Sequence, residues 1–152
     1  MRRRSVISLI VVAVVVFLIL SALLARALSV GGAEDSAITD LIKAEARGSA
    51  SAVIDLMRGC SGDAGCRSRA AVNAGALKRA GSVSIIEITP STGFSLTSTV
   101  GTARVAWIVG GSLPRVQCVR VRHAGNVFQG FTIQLLRVSV RIKSSKDCPR
   151  RY

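Results

Sequence analysis

Histidine occurs once in these 152 residues, at His123, and carboxylates are scarce, eight Asp and Glu against twenty-one Lys and Arg. Beyond Asp63 the acidic side chains are only Glu87 and Asp147. A nucleophile, a base and an orienting acid must lie within reach of one another, and this inventory leaves few combinations. His123 adjoins the turn signal Ala124-Gly-Asn126, where an exposed ring is expected. No cysteine pair has CxxC spacing, which with the single histidine argues against a zinc site. GxxxxGK[ST] and GxGxxG are both absent, so Gly31-Gly32 and Gly110-Gly111 read as turns. Aromatic residues make up 4% of the chain. Those outside the apolar run, Phe94, Trp107, Phe128, Phe131 and Tyr152, are too few for a base-stacking platform, and Trp107 and Phe131 fit the core pattern. The expectation is no catalytic centre, no cofactor, no metal and no specific nucleic-acid binding.

Charge is missing altogether from Ser5 to Ala25 (SVISLIVVAVVVFLILSALLA), twenty-one residues that follow MRRR directly. As a helix rising ~1.5 Å per residue this run reaches ~30 Å, the thickness of a bilayer's hydrocarbon core. Basic residues beside a first span are retained in the cytoplasm, so residues 1–4 are expected there, 5–25 across the plasma membrane and the remainder outside. Ala25-Arg26-Ala27 and Ala27-Leu28-Ser29 loosely resemble signal cleavage sites, but signal cores run to ~7–15 residues and this one is longer. An uncleaved single-pass anchor is therefore expected. The first cysteine, Cys60, lies well beyond the run, which argues against a lipid anchor, and the run holds no GxxxG for close helix pairing.

All four cysteines, Cys60, Cys66, Cys118 and Cys148, fall in the external part, and an even number in an oxidising compartment predicts two disulfides. Of three possible pairings, 60–66 and 118–148 are favoured because the intervening SGDAG can bend Cys60 back to Cys66. Residues 27–63 carry three basic and six acidic side chains, whereas 64–152 carry fourteen and two. Seventeen arginines to four lysines, with abundant Ala, Gly and Val, read as coding bias in a GC-rich bacterial genome.

Gly31-Gly32 predicts a juxtamembrane break within a linker over 26–33, followed by one external domain over 34–152. Glu34, Asp35 and Ser36 are suited to start a helix. Ile38, Leu41, Ile42, Ala46, Ser49, Val53, Leu56 and Met57 then continue it at helical spacing to about Gly59. Asp40 and Glu45 are expected to flank that stripe in solvent. A second helix is predicted over about 64–80, with Ala71, Ala74 and Leu77 as its apolar stripe. From Ser82 the period becomes two, giving strands Val83–Thr89, Gly101–Val109, Arg115–His123 and Val127–Lys143. In the last, Phe131, Ile133 and Leu135 share one parity, and Leu136, Val138, Val140 and Ile142 the other. A bulge near Leu135-Leu136 would turn both sets to the core. The fold class expected is α+β, with helices packed on one face of a four-stranded antiparallel sheet.

Strand parity also sorts the cations. With Val105, Trp107, Val109, Val119, Val121, Val138, Val140 and Ile142 inward, Arg104, Arg120, Arg122, Arg137, Arg141 and Lys143 form an outer band and are the candidate anion-binding residues. Like charges abreast on a sheet repel, which favours an anionic partner over a merely solvated face. The tail KSSKDCPRRY reads as a tether fixed by Cys148.

One span followed by helices and an antiparallel meander resembles, in architecture, the cystatin-like or nuclear-transport-factor-like domains of mammalian-cell-entry-associated membrane proteins and type IV secretion assembly factors. An apolar N-terminal helix, a sheet and a C-terminal disulfide loop also resemble type IV pilins, although the pilin cleavage signature and the glutamate early in the apolar run are missing. The expected function is a membrane-anchored extracytoplasmic structural or interaction module of a bacterial envelope assembly. Its expected partners are membrane lipid through residues 5–25, an envelope protein, and anionic polymer or lipid head groups. A pilin-like subunit and an envelope hydrolase are the alternatives.

Overall fold

The computed structural model describes residues 2–92, 97–126, 129–143 and 147–149. Three helices, α1 (Arg2–Arg47), α2 (Ala50–Leu56) and α3 (Ala64–Leu77), precede four strands, β1 (Val83–Thr89), β2 (Thr97–Val109), β3 (Arg115–Asn126) and β4 (Gly130–Val138). The architecture is α+β, as the change of hydrophobic period predicts. Phe94, Phe128, Tyr152 and tail residues 144–146 and 150–152 lie outside the described residues, as does Val127, the predicted start of the last strand.

α1 is one helix, long and apolar enough at its N-terminal half to cross a membrane. The break predicted at Gly31-Gly32 does not occur: both glycines are helical. A helical glycine costs ~1 kcal/mol relative to alanine, a penalty that the helical residues on either side absorb. From Val6 to Leu20 the large apolar side chains are exposed, whereas Glu34, Ile38, Leu41, Ile42 and Glu45 are buried. Their spacing repeats every three or four positions, so they lie on one stripe.

The predicted helix from residue 34 to about 59 is interrupted at Gly48. Gly48 has φ +76°, its N–H donates to the Glu45 carbonyl (2.9 Å) and the Ser49 N–H donates to Ala44 (3.1 Å). These two bonds satisfy carbonyls left over at a helix end and require the left-handed residue between them. Ser49 then caps α2, its hydroxyl accepting from Ala52 N–H. A single turn of 3-10 helix (Cys60–Gly62) leads to α3, where Asp63 Oδ1 accepts from the N–H groups of Gly65 (2.8 Å) and Cys66 (3.1 Å). The buried stripe of α3 is Cys66, Ala70, Asn73, Ala74 and Leu77; the predicted stripe residue Ala71 is exposed.

The sheet is an antiparallel meander in the order β1-β2-β3-β4. β1 has the predicted bounds, while β2 begins four residues earlier than expected and β3 runs on to Asn126. The predicted bulge is present, with Arg120 opposite Arg137 and Val121 opposite Leu135, leaving Leu136 extra. It brings Leu135 and Val138 to the same buried face. β4 stops at Val138, short of the predicted Lys143. Beyond it Ser139 still bonds Cys118 and Ile142 bridges to Val116, while Val140 turns outward at 40% exposure. The Arg58 N–H donates to the Leu135 carbonyl (2.8 Å), so the chain after α2 covers the β4 edge.

The core lies between the helices and one sheet face, with Trp107, Val105, Val119 and Val121 against Ile38, Leu41, Ile42 and Val53. Cys60 is bonded to Cys66 and Cys118 to Cys148, the two favoured pairings. Phe131, expected in the core, is half-buried.

Candidate functional site

Two carboxylates enter the interior from opposite ends of the α1 stripe, and each is met by polar groups of the sheet. Glu34 Oε2 lies 2.5 Å from His123 Nε2, near the end of β3. The same carboxylate accepts from the N–H of Ser91 (2.9 Å) and from its hydroxyl (3.2 Å), and Thr92 Oγ1 lies 3.4 Å from His123 Nδ1. The β1–β2 connection reaches Glu34 because Gly101 leaves room for it: a Cβ there would collide with the Ser91 carbonyl. Hydroxyl, imidazole and carboxylate stand in the order a hydrolase uses. Here Glu34 is also the anchor of Ser91, and its role in the fold is to bind the loop and β3 to the helix.

Three turns further along, Glu45 is fully buried. Its Oε1 accepts from Asn73 Nδ2 (2.8 Å) and its Oε2 from Gln117 Nε2 (2.8 Å). Both amides also donate to the Ser139 carbonyl, and Gln117 Oε1 accepts from the Trp107 indole N–H (2.9 Å). α1, α3, β2, β3 and the segment after β4 thus meet on one carboxylate. Burial pushes the Glu45 carboxyl up to about 7, and the two amide donors oppose that rise only in part. The expectation that Glu45 flanks the stripe in solvent is incorrect, because it occupies a stripe position itself. So is the expectation of an exposed His123 ring, which is buried at 8% exposure because Glu34 draws it inward. Asp40 and Glu87 are exposed.

Of the six candidate anion-binding residues, Arg104, Arg120, Arg122 and Arg137 lie in the sheet with outward parity. Arg120 is directly opposite Arg137, Arg122 opposite Gln134, and Arg104 opposite Cys118. Arg141 and Lys143 are exposed but lie beyond β4, so they do not belong to the same ladder. The band is also not bare: Cys118 faces outward within it, fully buried and bonded to Cys148. Arg137 Nη2 reaches Asp63 Oδ2 at 3.2 Å, the Asp63 side chain being 41% exposed. The Asp63 carboxyl is held below its ordinary range, first by the Cys66 N–H and further by Gly65 and by Arg137 and Arg67, against a smaller cost of desolvation. Beside that pair Met57, Gly65, Cys66, Arg69, Arg137 and Val138 line a hollow of about 120 Å³.

Sequence reasoning missed a buried cation. Arg115 is 6% exposed, with its guanidinium 5.4 Å from the centre of the Trp107 ring and Nη1 donating to the Leu77 carbonyl (3.2 Å). It has the inward parity of Gln117 and Val119, and this was the available signal. Among the described residues no group of three or more His, Cys, Asp or Glu side chains is arranged to hold a metal ion. In comparisons with known proteins, no family model, no curated protein and no solved structure matches this chain.

Proposed function

We propose that this protein is a membrane-anchored structural and interaction subunit of a cell-envelope assembly, holding a cationic sheet face toward an anionic partner on the extracytoplasmic side. The observation that carries the reading is the continuity of α1. One helix presents exposed apolar side chains over Val6–Leu20 and then supplies the buried stripe of the folded part, so anchor and domain share a backbone. Arg2-Arg3-Arg4 at its start supports a cytoplasmic N-terminus.

The orientation of the sheet argues for a protein or polymer partner over lipid head groups. Glu34 meets His123 and Glu45 meets Gln117, so β3 runs antiparallel to α1 along its axis. A sheet lying along a membrane-crossing helix presents its outer face sideways, away from the bilayer plane. Arg120, Arg122 and Arg137 on that face would draw an acidic surface through a field that weakens with salt. Replacing all three by serine in the full chain tests the reading. Retention on a soluble polyanion such as polyphosphate should fall at least tenfold near 0.15 M salt, and unchanged retention by the folded variant would remove the role of this face.

A pilin-like subunit is the second reading, favoured by the division of α1 into an exposed apolar half and a half packed on an antiparallel meander. In such an assembly the apolar halves of neighbouring copies pack together. Cysteine placed at Val12 or Val16 would then cross-link copies under oxidation, and the absence of any cross-linked species would count against it.

A further inference from the structure

We infer that the hollow between α3 and β4 is a docking site for the C-terminal residue of a partner polypeptide, taking an aliphatic side chain together with the terminal carboxylate on the same Cα. Met57, Gly65, Cys66, Arg69, Arg137 and Val138 line it. Met57, Cys66 and Val138 belong to the buried core and give the hollow an apolar floor. Cys66 is bonded to Cys60, so it presents no thiol there. Gly65, in the first turn of α3, has no side chain to fill the space, and Arg69 stands one turn further along the same face. Arg137 reaches the hollow from β4.

The two guanidiniums differ in what they hold. Arg137 Nη2 reaches Asp63 Oδ2 (3.2 Å), and Asp63 Oδ1 accepts from the N–H groups of Gly65 and Cys66, so both oxygens of the one nearby carboxylate are engaged. Arg69 is half-buried and has no acceptor among the described residues. A second carboxylate entering here would pair with Arg69 and share Arg137 with Asp63. Guanidinium forks match carboxylate oxygens, and a partly desolvated fork without an acceptor is where such an anion gains most.

Size and shape of charge select the occupant. A cavity of ~150 Å³ holds a benzene ring, so one of about 120 Å³ suits a single branched aliphatic side chain and is too small for a cofactor. Floor and rim belong to one hollow, so apolar group and carboxylate must come from one residue. An internal Asp or Glu carries its charge at the tip of its side chain, and would either leave the apolar floor empty or press a charge onto it. A C-terminal Val, Leu or Ile presents both groups from one Cα. The strand adds a place for the rest of the chain: the Ser139 N–H donates to the Cys118 carbonyl (2.8 Å) across the sheet, so by alternation Val138 turns its own N–H and C=O away from β3. An extended segment along that edge can pair with Val138 while its last residue fills the hollow. The site shares Arg137 with the outer sheet face but depends on Arg69, which lies on α3 outside that band.

An acetylated hexapeptide of glycine and serine ending in leucine, titrated into the isotope-labelled full chain in nonionic micelles at 0.15 M salt and followed by amide chemical shifts, tests the inference. Saturable shifts at the Gly65, Cys66 and Val138 amides are expected. Binding should weaken at least tenfold when the peptide ends in a carboxamide, which removes the charge-assisted bonds, and as much when serine replaces its leucine. Arg69→Gln should weaken it at least tenfold, whereas Arg120→Gln/Arg122→Gln should leave it unchanged. Equal binding of the carboxamide, undiminished binding by folded Arg69→Gln, or no saturable binding by the folded wild type would overturn the site. Isocaproate, which carries the same aliphatic group and carboxylate without a peptide, should bind at least tenfold more weakly. Equal affinity for it would mean that the hollow takes a free acid and would refute the polypeptide occupant.

Discussion

Among the described residues Glu45 receives hydrogen bonds from two amides and forms no ion pair, a buried carboxyl group met by neutral dipoles. Its folded-state proton affinity is raised from the ordinary 4.5 to about 7. A raised acid has a definite sign: as pH climbs through 4.5 the unfolded chain gives up this proton and the folded chain keeps it, so stability declines until about 7 and then levels off. The loss attributable to Glu45 across that window is about 3 kcal/mol. Urea unfolding from pH 4 to 8 should register the decline, and Glu45→Gln, which cannot ionise, should flatten it whatever its absolute stability. Asp63, lowered instead, acts below this window. Helical spacing carries a trace of both buried acids, since Glu34 and Glu45 continue the series Ile38, Leu41, Ile42. Sequence reasoning places Glu45 in solvent because carboxylates are ordinarily exposed and reads Glu34 as the charge that starts a helix, and no local rule says which acid will find partners on α3 and the sheet. Those amides, Asn73 and Gln117, come from positions 28 and 72 residues away.

Secondary structure was legible wherever a single period governs a segment. β1 and the start of β3 follow from alternation alone, and two successive parities between Phe131 and Val138 anticipate the bulge at Leu136. The reading failed where a glycine had to be interpreted by itself. Gly48 ends a helix with its N–H bonded back to Glu45, whereas Gly31 and Gly32 lie inside one with nothing within 4 Å of a Cβ built at either position. Identical residue types give opposite outcomes because the hydrophobic stripe continues in register after Gly32, while after Gly48 the chain must turn to bring Val53 onto the same core. Replacing both glycines by alanine, Gly31→Ala/Gly32→Ala, should therefore stabilise α1 by about 1 kcal/mol per site. Circular dichroism melting should report an unchanged helical signal and a midpoint higher by a few degrees. A lower midpoint would mean that a bend or a close neighbour exists at this place.

At the scale of the molecule, the change of hydrophobic period and the cysteine count were enough to predict an α+β domain with two disulfides after a long apolar helix. The grouping of charges was not legible. Parity assigns Arg104, Arg120, Arg122 and Arg137 to one face correctly, but the burial of Arg115 against Trp107 and the Leu77 carbonyl depends on the docking of α3 on the sheet. The Cys118–Cys148 bond ties the end of the chain to β3 across a separation of 30 residues. In the chain-entropy account a loop of that length is worth about 3.5 kcal/mol, so Cys118→Ser/Cys148→Ser should lower the urea midpoint accordingly. Hydrogen exchange should rise at the Cys118 amide, which donates to the Ser139 hydroxyl, before it rises in α3. The unbroken α1 has a mechanical corollary as well. In the proposed membrane-anchored arrangement, rolling the apolar half by one residue, about 100° of helical phase, re-aims every arginine on the outer sheet face by the same angle. Whatever fixes the azimuth of this shaft among its lipid or protein neighbours also sets the compass bearing of its positive charge.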